Sequence, residues 1–219
     1  MDAELRTQRE QVVNILRMLQ PILVEIRKAF VHQQEQALDQ VTNDTENIIE
    51  ETAFIAAEAD EMMIGRLLRD REPLLGYQDI LRFLRMIVRD VAVLAEILRH
   101  QIHESVPFSD KMMEQANLLL GRQEMLLHSV AGMVGSGETE RSREITRICS
   151  WMGQHCLAFA NHHESRLVEG ILPASAPIFL DFLNRMQALV HHELELIRLL
   201  TTWIDGTPGG AAVQEISIR

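Results

Sequence analysis

The sequence predicts an all-α protein built from two tandem three-helix bundles, and three observations support this. The 219 residues are 47% hydrophobic but only 5% aromatic, a composition that suits helix packing better than a β-sandwich. Apolar residues recur every three to four positions over long stretches, which is helical spacing. One pattern also occurs twice, at Arg66-Leu67 and at Arg166-Leu167: a long helix ending in Arg-Leu, a turn-rich break and another long helix. Such duplication indicates an internal repeat.

The apolar spacing defines three helices in the first half of the chain. The first is expected over residues 4–37, with Pro21 kinking it or removing one turn. A break is expected at Thr42–Glu46, which contains the spacing of a capping box. The second helix then extends to about residue 70, and the third covers about 78–104 after the turn-rich segment that begins at Pro73.

Three further helices are expected in the second half. Ser109 is the expected N-cap of the fourth helix, which ends within residues 132–137. The fifth covers about 138–168, and Pro173–Pro177 opens the sixth. The chain is therefore divided into a first three-helix repeat, a second one and a flexible tail: residues 1–105, 106–205 and 206–219.

Charge and composition exclude several kinds of partner. The net charge is −11, with 32 acidic and 21 basic residues, so duplex nucleic acid is not an expected partner. No uncharged apolar run approaches the roughly 18 residues of a membrane span, and the N-terminus lacks a signal-peptide core. Cys149 and Cys156 are expected about 10 Å apart on one helix, too far for a disulfide. A soluble, cytoplasmic protein with reduced thiols is predicted.

Three stretches carry a resemblance to a known family. Val106–Asp110 looks like a hydrophobic-Phe-Ser junction, and His162–Gly170 is similar to a His-x-x-Arg-Leu-x-x-Gly helix end. Ser175–His192 resembles a Ser-x-x-Phe-Leu-Asp-x-Leu segment that leads into Glu-Arg-Ile-Gly-Asp-His. In this order the three stretches resemble the PhoU family of phosphate-transport regulators, especially the PhoU-like tails of bacterial sodium–phosphate cotransporters. Helix order and repeat spacing extend the resemblance over residues 5–205.

The resemblance implies a PhoU-like six-helix arrangement and a non-enzymatic role. The expected function is regulation of phosphate uptake or phosphate signalling through contact with a phosphate transporter or a sensor kinase. The resemblance implies no membrane insertion, and it is compatible with a membrane-protein partner and with a homodimer. Two alternatives stay open: the cytosolic regulatory domain of a sodium–phosphate cotransporter, and a helical scaffold without a ligand.

The resemblance also implies metal binding by paired carboxylates, Glu-x-x-x-Asp, on the third helix of each repeat. The matching positions here are Ala92 with Glu96, and Gln187 with His191, so these carboxylate pairs are largely eroded. His192 is retained from the family pattern, and Asp60 is aligned with an acidic position on the second helix. Family-type metal clusters are therefore not expected.

Histidines offer a different ligand set. Seven of the nine lie beyond residue 102, and His155 and His162 are two turns apart on the fifth helix. Antiparallel packing would bring His191 towards that row, and imidazoles bind divalent transition metals such as zinc, nickel or iron. The alternative is that these histidines are solvated or hydrogen-bonded seam residues. The residues predicted as metal ligands are Asp60, Glu96, His163, His191 and His192.

Enzymatic chemistry has little support in the sequence. A di-iron bundle needs Glu-x-x-His pairs, and the chain has none. The two cysteines lie mid-helix without a glycine-rich loop and are interpreted as small core residues, and no P-loop is present.

Two charged series remain. The acidic one on the second helix fits a metal or partner surface or, with more support, a solvated face: Glu46, Glu50, Glu51, Glu58, Asp60 and Glu61. The other is an arginine stripe on the third helix, at Arg82, Arg85, Arg89 and Arg99. It would meet an acidic partner or phosphate, or pair locally with Asp79, Asp90 and Glu96.

Overall fold

A computed structural model describes residues 2–168 and 175–206. Within these ranges the chain forms helices and no strand, so the predicted all-α class is confirmed. A short 3₁₀ turn, Thr139–Arg141, precedes the fifth helix. None of the helices in this part of the chain carries an apolar stretch long enough to cross a bilayer. The six α-helices are α1 (Asp2–His32), α2 (Glu35–Met63), α3 (Leu68–His103), α4 (Asp110–Ser136), α5 (Ser142–Val168) and α6 (Ala176–Ile204).

The helix pairing has the same order in each half. In the first half α2 packs against α1 and α3, and in the second half α5 packs against α4 and α6. The halves are joined where α1 packs along α4 and α3 along α6. One continuous apolar cluster crosses both halves. This agrees with the predicted pair of three-helix bundles; the boundaries at 105 and 205 stay a prediction, and residues 207–219 lie outside the described residues.

Phe108, between α3 and α4, packs against both halves of the chain. Its ring lies edge-on to Phe30 of α1, with centroids 5.9 Å apart, and to Phe179 of α6, at 5.4 Å. Each such aromatic pair adds about 0.5–1.5 kcal/mol beyond the burial of apolar area. The next residue but one begins α4, and the Ser109 hydroxyl accepts a hydrogen bond from the Met112 amide at 3.3 Å. The predicted N-cap is confirmed.

A second link between the halves is polar. The Arg27 side chain of α1 donates to Asn117 Oδ1 at 2.7 Å and pairs with Glu124 Oε2 at 3.2 Å, both on α4. Gly121 lies beneath the guanidinium, and a Cβ there would sit 3.2 Å from Arg27 Nη1. The glycine therefore lets the arginine lie flat across α4.

The expected break at Thr42–Glu46 is wrong, because this segment lies inside α2. A capping-box spacing is a local signal, whereas the buried positions of α2 continue at helical spacing through the segment: Leu38, Val41, Thr45 and Ile48. The Thr45 hydroxyl bonds within the helix, to Val41 O at 2.9 Å. Burial of this stripe decides the local structure.

The chain turns instead at Gln33 and Gln34. Gln33 has φ 54°, and the Gln34 amide donates to Ala29 O at 2.8 Å while the Gln33 amide donates to Phe30 O at 3.3 Å. This is the Schellman arrangement, which satisfies the last carbonyls of a helix. Glycine is the usual residue at such a position, so the sequence carries no clear signal for this turn.

The prolines interrupt less than expected. Pro21 lies on an exposed face inside α1, which continues through it without losing a turn. The second helix ends at Met63 rather than near residue 70, at a turn where Gly65 has φ 78°, and α3 already contains Pro73. A proline removes one amide donor, and here burial of Leu74 and Tyr77 holds the helix in place.

Candidate functional site

The two predicted acidic ligands lie on exposed helix faces. Asp60 on α2 accepts a hydrogen bond from Gln78 Nε2 of α3 at 2.6 Å. Glu96 on α3 is paired with Arg99, whose Nη2 lies 2.6 Å from Glu96 Oε1. The hydrogen bond from Arg99 lowers the pKa of Glu96. Glu96 is therefore held by a neighbouring cation on its own helix.

The three predicted histidine ligands occupy different environments. His163 is buried, with its ring 4.9 Å from that of Phe179 and its Nε2 3.3 Å from Gln115 Oε1. His191 is exposed, and its neighbour His192 has Nδ1 2.6 Å from Asp90 Oδ2.

The other two histidines of the expected row also have partners. His155 stacks on Trp151, with ring centroids 3.7 Å apart, and His162 Nε2 lies 3.0 Å from Lys111 Nζ. Across the described part of the chain, no three His, Cys, Asp or Glu side chains come together as a metal-ligand set. Ala92 and Gln187 supply no carboxylate either, so the residues present do not fit a family-type metal cluster.

A buried carboxylate, expected from the sequence to pair along its own helix, lies in the α3–α6 contact. Asp90 is 3% exposed and accepts hydrogen bonds from Arg185 Nη1 at 2.8 Å and from His192 Nδ1 at 2.6 Å. Arg185 and His192 are two turns apart on α6 and so share one face. The predicted local pairs form for Asp79 and Glu96, but Asp90 binds α6 instead. It therefore links the two repeats.

A second buried carboxyl group lies on the same helix. Glu193 is 1% exposed, and Gln123 Nε2 of α4 donates to its Oε1. Burial raises the pKa of Glu193 well above its usual range; the bond from Gln123 lowers the pKa in part, and Asp90 raises it further. Glu193 Oε2 and Gln123 Oε1 have no hydrogen-bond partner among the described residues. The core surroundings therefore favour the protonated form of Glu193.

Both buried groups could have been recognised from periodicity. Glu193 falls on the stripe that includes Val190 and Ile197, and Asp90 falls beside Ile87 and Leu94. A charged residue at an apolar position of a regular stripe is a buried-polar signal. The sequence does not show, however, which residue on another helix meets it.

The two cysteines are free and fully buried, as the core interpretation predicts. Burial raises the pKa of the Cys156 thiol to about 12, and burial together with Glu193 raises that of Cys149. Thiols in such surroundings are not nucleophiles at neutral pH. Neither cysteine is therefore an activated nucleophile.

Comparisons with solved structures agree with the six-helix arrangement. No protein-family model matches the chain, and no curated protein matches it. Among solved structures it is similar to the phosphate transport system regulatory protein PhoU from Streptococcus pneumoniae, with a TM-score of 0.80 and 10% identity over 95% of this chain and 99% of that one. It is also similar to PhoU from Pseudomonas aeruginosa, with a TM-score of 0.72 and 12% identity over 94% and 99%.

The chain has the PhoU fold. The likeness covers nearly all of both relatives, so the six-helix PhoU arrangement predicted from three short stretches is confirmed. At 10–12% identity the likeness concerns the fold, and function has to be argued from the residues that this PhoU-like chain presents.

Proposed function

We propose that the protein is a cytoplasmic, non-enzymatic regulator of phosphate uptake or phosphate signalling that acts by contact with a transporter or a sensor kinase. The observation that carries the proposal is the agreement of fold, over 95% of the chain, with a phosphate transport system regulatory protein. The chemistry of the interior supports a role without turnover, because the buried carboxyl groups are engaged between helices.

The outer face of α3 is the surface proposed to meet the partner. Arg89 and Val93 are exposed one turn apart, and Arg85 lies one turn before Arg89. Neither Arg85 nor Arg89 forms an ion pair with a described residue. Arginines beside an exposed apolar side chain are typical of protein interfaces. An acidic surface on the partner would complement them.

Co-purification tests the proposal. A tagged chain recovered from phosphate-starved and phosphate-replete cells is expected to carry a phosphate-transport or sensor-kinase component in at least one state. Arg89→Glu is expected to reduce this recovery about tenfold, because it replaces an attraction with a repulsion.

The matched control is Arg147→Glu, which reverses the charge of an exposed arginine on α5. It should leave recovery unchanged. Recovery of no such component in either state, or equal loss with both variants, would contradict the proposal.

The metal assignment of Asp60, Glu96, His163, His191 and His192 stays a prediction, and elemental analysis tests it. Because the described ligands do not gather, we expect zinc-dialysed protein to retain less than about a tenth of an equivalent per chain. The zinc content of the Asp90→Ala variant, in which His192 loses its carboxylate partner, is measured for comparison. A full equivalent in the parent protein that is lost in a His191→Ala/His192→Ala double variant would show instead that these histidines form a metal site.

A further inference from the structure

A cleft of about 620 Å³ opens between the start of α1, the end of α2 and the start of α3. Its volume lies within the range of small-molecule sites, about 300–1,000 Å³. The walls combine carboxylates and amides with apolar groups: Glu4, Gln8, Gln11, Glu58, Glu61 and Met62 are among the lining residues. Tyr77, which is 2% exposed, also lines the cleft.

The cleft has a negative wall. Glu58 and Glu61 are one turn apart on α2, both exposed, and neither forms an ion pair with a described residue. Glu4 faces them from α1, and Arg66 Nη1 partly neutralises it at 3.1 Å. Tyr77 remains a neutral donor, because burial and the nearby Glu58 raise its pKa, and its hydroxyl donates to Gln11 Oε1 at 2.7 Å.

The second observation is the side chain of Gln8. It lines the cleft and is 6% exposed, yet its amide has no hydrogen-bond partner among the described residues. A ligand that carries N–H donors into the cleft would satisfy the amide oxygen.

The spacing of the charges selects the kind of cation. The described carboxylates do not come together as ligands of a metal ion, so a compact divalent cation does not match the cleft. An extended organic cation does, because its charges are separated by methylene groups that can contact Met62, Ala59 and Ile55.

We propose that this cleft binds a linear aliphatic polyamine, with its ammonium groups on Glu58, Glu61 and the Gln8 amide and its methylene groups along α2. The proposal is independent of the regulatory role. A lysine side chain of another protein also carries an ammonium group on a chain of methylene groups, but it has only one charge. Comparing a polyamine with a lysine derivative as ligands therefore separates these two kinds of cation.

Isothermal titration of spermidine into the full chain tests the proposal. We expect one saturable site and, for Glu58→Gln/Glu61→Gln, affinity lower by about tenfold, which is the loss of two exposed charge pairs. Arg66→Ala should strengthen binding about threefold, because it frees Glu4. Circular dichroism should show an unchanged fold, since the substituted carboxylates are exposed.

Matched controls make the outcome decisive. Glu50→Gln/Glu51→Gln removes two exposed charges from the same helix outside the cleft and should retain affinity. N-acetyl-lysine amide should bind at least about tenfold more weakly than spermidine. No spermidine binding up to about 10 mM, equal losses in both double variants, equal binding of the lysine derivative, or full displacement by magnesium at matched ionic strength would each overturn the proposal.

Discussion

Replacing Glu193 with glutamine is expected to stabilise the protein increasingly as the pH rises above the ordinary range of a glutamate. Burial holds the pKa of this carboxyl group well above that range in the folded state. Unfolding returns the group to water, where it ionises freely. Glu193→Gln keeps the size of the side chain and the oxygen that accepts from Gln123. Glutamine has no carboxyl proton to lose, so the variant avoids the free-energy cost of keeping a carboxyl group protonated at higher pH.

The sign follows from proton linkage. Between the unfolded and folded pKa values the folded chain binds more protons than the unfolded chain, so its stability falls as pH rises. Below the unfolded value both states are protonated and Glu193 carries no penalty. Within the window, the gap between Glu193→Gln and the parent should widen by about 1.4 kcal/mol per pH unit.

Urea unfolding followed by circular dichroism, from about pH 5 to about pH 9, measures this gap. Comparing the two proteins cancels the contributions of the shared groups that do not interact with Glu193. Glu195→Gln is the matched control, because Glu195 pairs with Arg198 at the surface and should show no widening gap. Parallel stability curves for Glu193→Gln and the parent would refute a neutral, buried Glu193.

Removing the Asp90 carboxylate is the second large change. Asp90→Ala is expected to lower the free energy of unfolding by about 2–3 kcal/mol, because two charge-assisted hydrogen bonds to α6 are lost. The loss stays below that of a fully buried ion pair, since the Arg185 side chain is 39% exposed and can be hydrated. Urea unfolding at neutral pH measures the change.

Asp79→Ala is the comparison for this prediction. Asp79 pairs with Arg82 at 3.0 Å on the surface of the same helix, and its loss should change stability by less than about 0.5 kcal/mol. A double-mutant cycle of Asp90→Ala with Arg185→Ala should return a coupling free energy of about 1 kcal/mol or more. Equal effects of Asp79→Ala and Asp90→Ala would show that the α3–α6 link contributes no more to the free energy of unfolding than a surface ion pair does.

Local signals predicted the second half of the chain better than the first. Ser109 caps α4 as expected, because the capping preference of serine and the start of the buried apolar stripe fall at the same point of the chain. At Thr42–Glu46 the same kind of signal failed because Val41 and Ile48 are buried on one continuous helical face. Where a capping preference of about 1 kcal/mol competes with burial of several apolar side chains, burial prevails.

The candidate sites were harder to predict than the fold. His192 was named from the resemblance to a family, but its partner Asp90 lies 102 residues away on another helix. Glu193 was missed, although it lies on the buried stripe of α6. The acidic residues of α2 were treated as one series, whereas packing assigns Glu58 and Glu61 to a cleft and leaves Glu50 and Glu51 outside it.

Periodicity along the chain, by itself, determined the helical class, the duplicated order of helices and the apolar face of each one. These properties depend on residues three or four positions apart, which the sequence displays directly. Only the tertiary structure decided that Asp90 reaches α6, that Glu193 is enclosed against Gln123, and that α1 closes a cleft over α2. Each of these depends on which faces of distant helices meet, and that is set by the packing of the whole core.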